Sequence, residues 1–206
     1  MKKNIAVFAS GTGSNFININ NKVKNNKINA KVCLLVSNNS NSGAVKFCSK
    51  NNIDFFIYND KKFPNDINNK KIIDKMLTYK IDLILLAGYM KKISKNFIEL
   101  FNNRIMNIHP SLLPLYGGKG FYGMKVHEAV FKNKERETGA TIHFVDCDYD
   151  TGPILMQKRI KIAKNDTPIN ISEKVLKIEH EIYPKAVNLF CNNQIIWKNN
   201  KPIIKE

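Results

Sequence analysis

Asn107 and His109 stand two residues apart, after the run from Arg104 and just ahead of Pro110. Residues i and i+2 of a strand share a face, so this amide and imidazole would project together. Proline lacks the N–H that a sheet ladder needs, so the strand would end there. An amide donor beside an imidazole suits a reaction in which an oxyanion develops and a proton moves. The same pair would also serve a plain strand end capping a turn. Asp150 lies in Asp148-Tyr149-Asp150-Thr151-Gly152-Pro153, where Asp and Gly favour turns. Facing His109, its carboxylate would raise the imidazole pKa and orient the ring.

Two further loops could hold ligands. Gly11-Thr12-Gly13-Ser14-Asn15 falls between an apolar run and a helical pattern. Glycines there let the backbone approach a ligand, and a helix N-terminus offers free N–H groups to an anion. A third glycine and a Walker lysine are absent, so a phosphate monoester fits better than a dinucleotide. A tight turn with Ser14 as helix cap is the other reading. Leu86-Ala87-Gly88-Tyr89-Met90-Lys91-Lys92-Ile93 follows an apolar run. The C-terminal end of a central strand is where open α/β sheets bind ligands.

The elements that would position these residues alternate. Strands are expected at 4–9, 30–37, 54–58, 82–87 and 104–108, and helices at 14–24, 43–51, 65–79 and 94–101. The 65–79 helix rests on Ile67, Ile72, Ile73, Met76 and Leu77 at helical spacing. Such alternation means βαβ units and a parallel sheet. After a glycine-dense loop at 116–123 the pattern changes. A helix at 124–132 precedes two strands, 138–147 and 153–162, whose short connection predicts an antiparallel pair. A long helix over 170–190 and a short edge strand at 195–197 complete the chain. No repeat or linker interrupts it, and 206 residues suit one domain.

The formal charge is +16, which invites a nucleic-acid reading. Yet only Arg104, Arg136 and Arg159 are arginines, and the lysines are dispersed among asparagine and isoleucine. Specific nucleic-acid contacts favour the arginine fork. Such a field would draw in anionic small molecules. No apolar run reaches the ~18 residues of a membrane span. The N-terminal apolar stretch stops at Ser10-Gly11, too early for a signal peptide, and reads as the first strand. Cys33, Cys48, Cys147 and Cys191 have no metal-site spacing. They suit reduced thiols of a cytoplasmic protein.

Six segments in order resemble one family: G-x-G-S-N at 11–15, L-A-G-Y-M at 86–90, N-I-H-P-S-L-L-P at 107–114, T-x-H-F-V at 141–145, D-x-G-P at 150–153 and E-H-x-I-Y-P at 179–184. The set is similar to the glycinamide ribonucleotide formyltransferases, folate-dependent enzymes of purine biosynthesis. The resemblance implies an α/β fold with a Rossmann-like, mostly parallel twisted sheet, helices on both faces and an antiparallel pair in the C-terminal half. It implies one domain, with a phosphate-binding half over about 1–108 and a folate and catalytic half over about 109–206. Its substrates would be glycinamide ribonucleotide and 10-formyltetrahydrofolate, with no metal, nucleic acid or membrane, in a monomer or homodimer.

Carried over by motif, Asn107, His109 and Asp150 would be catalytic, with Asn107 and a protonated His109 stabilising the oxyanion. Gly13, Ser14 and Asn15 would hold the phosphate, and Glu179 the ribose. Met90, Lys91, Lys92, Ile93 and Asn107 would line the folate pocket, with the 145–150 loop closing on it. His143 would be a structural neighbour of the site, and His127 and His180 structural or surface residues. Leu176 stands where relatives often carry a phosphate contact, leaving Lys174 or Lys177 to replace it. No arginine follows Phe63, leaving Lys61 or Lys62 for the folate tail. The 116–123 loop has no role assigned by the resemblance. Formyltetrahydrofolate hydrolases, sugar-amine formyltransferases and methionyl-tRNA formyltransferases share the N-x-H…D core. The first carry an N-terminal regulatory domain, whereas the first strand here is expected near Asn4. The last carry a C-terminal β-barrel for which 206 residues leave no room, so a sugar-amine acceptor is the alternative that length excludes least. A basic non-catalytic nucleic-acid binder is the alternative outside enzymes.

Overall fold

The computed structural model describes residues 1–66 and 68–205. These fall into two compact units, Met1–Met106 and Asn107–Glu206. In the first unit, β1 (Lys3–Phe8), β2 (Ala30–Ser37), β3 (Phe55–Ile57) and β4 (Leu83–Leu86) alternate with α1 (Ser14–Lys24), α2 (Gly43–Asn51) and α3 (Lys70–Thr78). A short helix, α4 (Lys95–Leu100), follows β4. The pairings β1 with β2, β1 with β4 and β2 with β3 are all parallel. A parallel sheet covered on both faces needs continuous apolar strands rather than alternating ones. Accordingly Ile5 to Phe8 and Leu83 to Leu85 are fully buried. Each of the larger side chains among them contributes roughly 1.5–3 kcal/mol when withdrawn from water.

The chain leaves β1 for β2 on one side and later returns to place β4 on the other. The C-terminal ends of β1 and β4 are therefore a topological switch point. Their loops are joined there. The Ser10 N–H donates to the Gly88 carbonyl at 3.0 Å, and Ser10 Oγ accepts the Met90 N–H at 2.9 Å.

The strand after α4 is β5 (Ile105–His109), followed by α5 (Met124–Lys132), β6 (Glu137–Phe144), β7 (Ile154–Lys161) and α6 (Pro168–Cys191). Within the first unit the strands lie in the order β3-β2-β1-β4, and within the second in the order β5-β6-β7, with β6 and β7 antiparallel. Parallel pairings in the first unit and a C-terminal antiparallel pair in the second are what the sequence predicts. Helix α6 packs on β6, β7 and α5. Its start is fixed by a capping box, with Thr167 Oγ1 accepting the Asn170 N–H and the Asn170 side chain accepting the Thr167 N–H. Pro168 occupies the first turn, where a missing N–H costs nothing. Ile171, Val175, Glu179, Ile182, Tyr183 and Ala186 form its buried stripe.

Three expectations change. The 195–197 segment is not an edge of the main sheet; β8 (Ile195–Lys198) pairs with β9 (Lys201–Ile204) in a separate antiparallel hairpin. Helix α3 starts at Lys70 rather than 65, because the Asp66 carboxylate accepts the N–H groups of Lys70 and Lys71 and stops the preceding turn. Ile67 lies outside the described residues. Ser14 does not cap α1; Gly13 holds that position with φ +78° and no side-chain cap.

His127, on the buried face of α5, is only 5% exposed, and its Nδ1 has no hydrogen-bond partner among the described residues. Burial, with a smaller push from His109, lowers its pKa to about 4. The unfolded chain, with an ordinary imidazole pKa near 6.5, therefore takes up this proton first as pH falls. Stability should drop between about pH 6.5 and 4, by up to roughly 3 kcal/mol from this group. Urea unfolding across that range should show the loss, and His127→Gln should remove part of it. The same pH dependence in the variant would place the responsible proton elsewhere.

Candidate active site

Strand β5 sends Asn107 and His109 to one face, Asn107 half-buried and His109 buried. The turn after it is sewn to the neighbouring strands by Thr141. Its hydroxyl donates to the Ser111 carbonyl at 2.6 Å and accepts the Leu113 N–H at 3.1 Å and Gln157 Nε2 at 2.9 Å. The β6–β7 connection returns so closely that a Cβ on Gly152 would lie 1.9 Å from the Phe144 carbonyl oxygen. Only glycine fits this approach. Within the loop, Thr151 Oγ1 is 2.8 Å from the Asp146 carboxylate. Asp150, at φ +58°, is thereby presented to β5.

Three side chains and one backbone N–H meet around that carboxylate. Asp150 Oδ2 accepts the Gly118 N–H at 3.0 Å and lies 3.4 Å from His109 Nδ1. Asp150 Oδ1 accepts Asn107 Nδ2 at 3.3 Å and lies 3.5 Å from His143 Nε2. Asn107 Nδ2 also stands 3.0 Å from His143 Nε2, while His143 Nδ1 is 2.9 Å from the Phe144 carbonyl. A carbonyl only accepts, so His143 carries its proton on Nδ1 and receives the Asn107 amide on Nε2. The same logic fixes His109. Its Nε2 is 2.7 Å from the Tyr116 carbonyl and must be the donor, leaving Nδ1 turned toward Asp150.

Charge follows from these contacts. Burial raises the Asp150 pKa, but the His143 ring, His109 and the Gly118 N–H hold it below the ordinary carboxylate value. Burial is also the largest effect on His109 and lowers its pKa, although Asp150 and the Tyr116 carbonyl pull it up. This corrects the sequence expectation of a raised imidazole pKa. Asp150 does favour the imidazolium, but desolvation at 4% exposure outweighs it. At neutral pH the pair is an ionised carboxylate and a neutral imidazole whose open nitrogen faces it.

In the first unit, the 11–15 loop threads between the starts of α1 and α2. A Cβ on Gly13 would lie 2.7 Å from the Ala44 Cβ, so packing against α2 already requires this glycine. Gly11 differs, since a Cβ there would meet nothing within 4 Å. Ser14 and Asn15 open α1, and Asn15 is buried. Near β4, a cavity of about 260 Å³ is lined by Tyr58, Phe63, Tyr89, Lys91, Lys92 and Ile93, among others. Lys91 pairs with Asp60. Met90 does not line this cavity; its side chain is half-exposed. Lys61 and Lys62 do not line it either and stand exposed.

In α6, Glu179 is buried, and its charge adds to burial in raising the pKa of Tyr183. Lys174 is held by Asp166 at 2.6 Å, and Lys177 is exposed. Thus the structure brings Asn107, His109 and Asp150 together and draws His143 into direct contact with two of them, closer than the structural neighbour expected. The Tyr116 carbonyl and Gly118 N–H were not legible as members. Their only signal in the sequence is the glycine-dense loop that follows Pro114.

An open α/β sheet with ligand-ready loops at its strand ends and a buried Asn–His–Asp cluster defines a class of small-molecule proteins. Comparison narrows it. The formyl transferase family profile matches residues 3–187. The chain is 40% identical over 201 residues to the phosphoribosylglycinamide formyltransferase, chloroplastic, of Arabidopsis thaliana, covering 97% of this chain and 69% of that longer protein. It is 34% identical over 200 residues to the phosphoribosylglycinamide formyltransferase of Bacillus subtilis, covering 97% of each. Among solved structures it superposes on glycinamide ribonucleotide transformylase 1 from Symbiobacterium toebii with a TM-score of 0.92 at 27% identity, covering 100% of this chain and 95% of that one. The chain belongs to the formyl transferase family.

The glycines of the first loop can be separated experimentally. Gly13→Ala should cost about 2 kcal/mol or more, through its positive φ and the collision with Ala44. Gly11→Ala should leave stability within about 0.5 kcal/mol of wild type. Urea unfolding of both variants checks this, and equal losses would mean that the loop's packing is other than described.

Proposed function

We propose that this protein transfers the formyl group of 10-formyltetrahydrofolate to the amine of glycinamide ribonucleotide, a step of purine biosynthesis. The observation that carries the reading is the Asn107–His109–Asp150 cluster, in a chain of the formyl transferase family with a near-full-length relative of that name. The cavity beside β4 suits part of the folate, with aromatic walls for a flat ring system and Lys91 and Lys92 for an anionic tail. When bound, the folate supplies a formyl group on nitrogen that is open to attack by an amine.

The residues then have distinct tasks. His109 rests neutral, so it would work as a base: the proton of the attacking amine would pass to Nδ1, where the Asp150 carboxylate stabilises the imidazolium, and would return to the folate nitrogen as its bond to the formyl carbon breaks. This replaces the protonated His109 that the resemblance suggested. Asn107 holds two amide protons over His143 and Asp150. Turning one toward the formyl oxygen would stabilise the charge that grows there. Asp150 keeps both groups oriented and holds its own negative charge throughout.

Gly13, Ser14 and Asn15, at the start of α1, would receive the phosphate, with Gly11 as the position open to close approach. Glu179 would take the ribose hydroxyls, and Met90 to Ile93 with Asn107 the folate. The diffuse lysine excess would draw in both anionic substrates. The reading assigns a monomer or homodimer to the cytoplasm, in keeping with its four free thiols.

The test is an initial-rate assay of the purified protein with both substrates, followed by folate absorbance. Wild type should show ribonucleotide-dependent formyl transfer. His109→Ala and Asp150→Asn should each lower kcat by about 10²-fold or more with the fold intact by circular dichroism. Formate release without the ribonucleotide would point to a hydrolase instead.

A further inference from the structure

Tyr116 adopts a left-handed backbone conformation, φ +57°. That region is disfavoured for a bulky side chain and persists only where the surroundings impose it. Its carbonyl is the group that accepts the His109 Nε2 proton at 2.7 Å. The side chain explains how the backbone is held. Its hydroxyl donates to Glu135 Oε1 at 2.7 Å and accepts Asn133 Nδ2 at 2.8 Å. Burial and Glu135 keep this phenol protonated, so it remains a donor. Asn133 ends α5, and Glu135 lies in the short turn before β6. Its ring also meets Phe121 edge to face at 6.0 Å. One residue earlier, the Ser111 hydroxyl holds the Leu115 carbonyl at 2.6 Å. The start of the glycine loop is thus pinned from both sides.

We propose that Tyr116 is a positioning residue: its hydroxyl, tied to Glu135 and Asn133, fixes the carbonyl that keeps the His109 proton on Nε2 and the open Nδ1 toward Asp150. As a statement about the imidazole it stands on the geometry alone; as a statement about rate it rests on the formyl-transfer reading. Without the anchor, the carbonyl can swing away. The His109 proton then has a competing place on Nδ1, where it donates to Asp150 and occupies the nitrogen that must receive the substrate's proton.

Two variants test this without disturbing the core. Tyr116→Phe removes the hydroxyl alone, and Glu135→Ala removes its acceptor. Nitrogen-15 spectra of labelled histidine report the tautomer of His109 independently of activity. Wild type should show the Nε2–H form near neutral pH. Both variants should show a mixture with the Nδ1–H form, and kcat should fall about tenfold while KM for both substrates stays within about twofold. Glu135→Gln, which keeps an acceptor oxygen, should restore the wild-type tautomer and rate. A wild-type tautomer in Tyr116→Phe, a shifted tautomer with unchanged kcat, or failure of Glu135→Gln to rescue would overturn the proposal. If wild type transfers no formyl group yet the tautomer shifts as described, the formyl-transfer reading fails and the anchoring stands.

Discussion

The site depends on one ion kept charged in a place that opposes charge. Asp150 is largely withdrawn from water, with a side chain 13% exposed. Desolvation alone would protonate it. One backbone N–H and one amide donate to the carboxylate, and the two imidazole rings beside it favour its ionised form when they carry a proton toward it. Each of these groups is in turn oriented by the carboxylate it serves. Removing the charge would release Asn107, His109 and the start of the glycine loop together, which is why the cluster behaves as a unit and not as separate contacts. Hydrogen bonds to an ionised acceptor are the stronger kind, and a low dielectric strengthens them further.

Much of the surrounding architecture reads as support for that ion. Gly152 lets the loop return against Phe144, and Thr141 binds the turn after β5 to β6. Ser111, Tyr116 and Glu135 fix the segment from which Gly118 reaches Asp150. The first unit has a similar support at its strand ends. Its loops after β1 and β4 are joined through Ser10, and Gly11 leaves open space where the other glycine of the loop is packed tight. Surface ion pairs such as Lys158 with Glu181 and Arg159 with Glu137 add little, at roughly 0–1 kcal/mol each. The burden of stability lies in the apolar strands.

The fold class was legible because buried parallel strands leave continuous apolar runs, and β2, α2 and α5 begin and end where the sequence places them. The trio was legible because Asn107, His109 and Pro110 form a local pattern with a local consequence. What escaped was set by side chains acting at a distance. Asp66 halts the turn ahead of α3, and the terminal hairpin pairs with itself rather than with the sheet. The sequence shows the carboxylate beside His109 but not the depth of burial, which lowers the imidazole pKa by more than Asp150 raises it. Tyr116 and Gly118 act through backbone groups, which carry no residue-type signature.

The central claim is that Asp150 stays ionised because polar contacts exceed the cost of its burial. A carbon-13 titration of the aspartate carboxyl groups in the intact protein, assigned with Asp150→Asn, tests it directly. The account predicts that the Asp150 resonance titrates below the ordinary aspartate value of about 3.9. Its removal of charge should also coincide with a change in the His109 ring signals. Titration of Asp150 above the ordinary value would contradict the account, because burial would then be the dominant influence and the cluster would have no fixed charge to organise it.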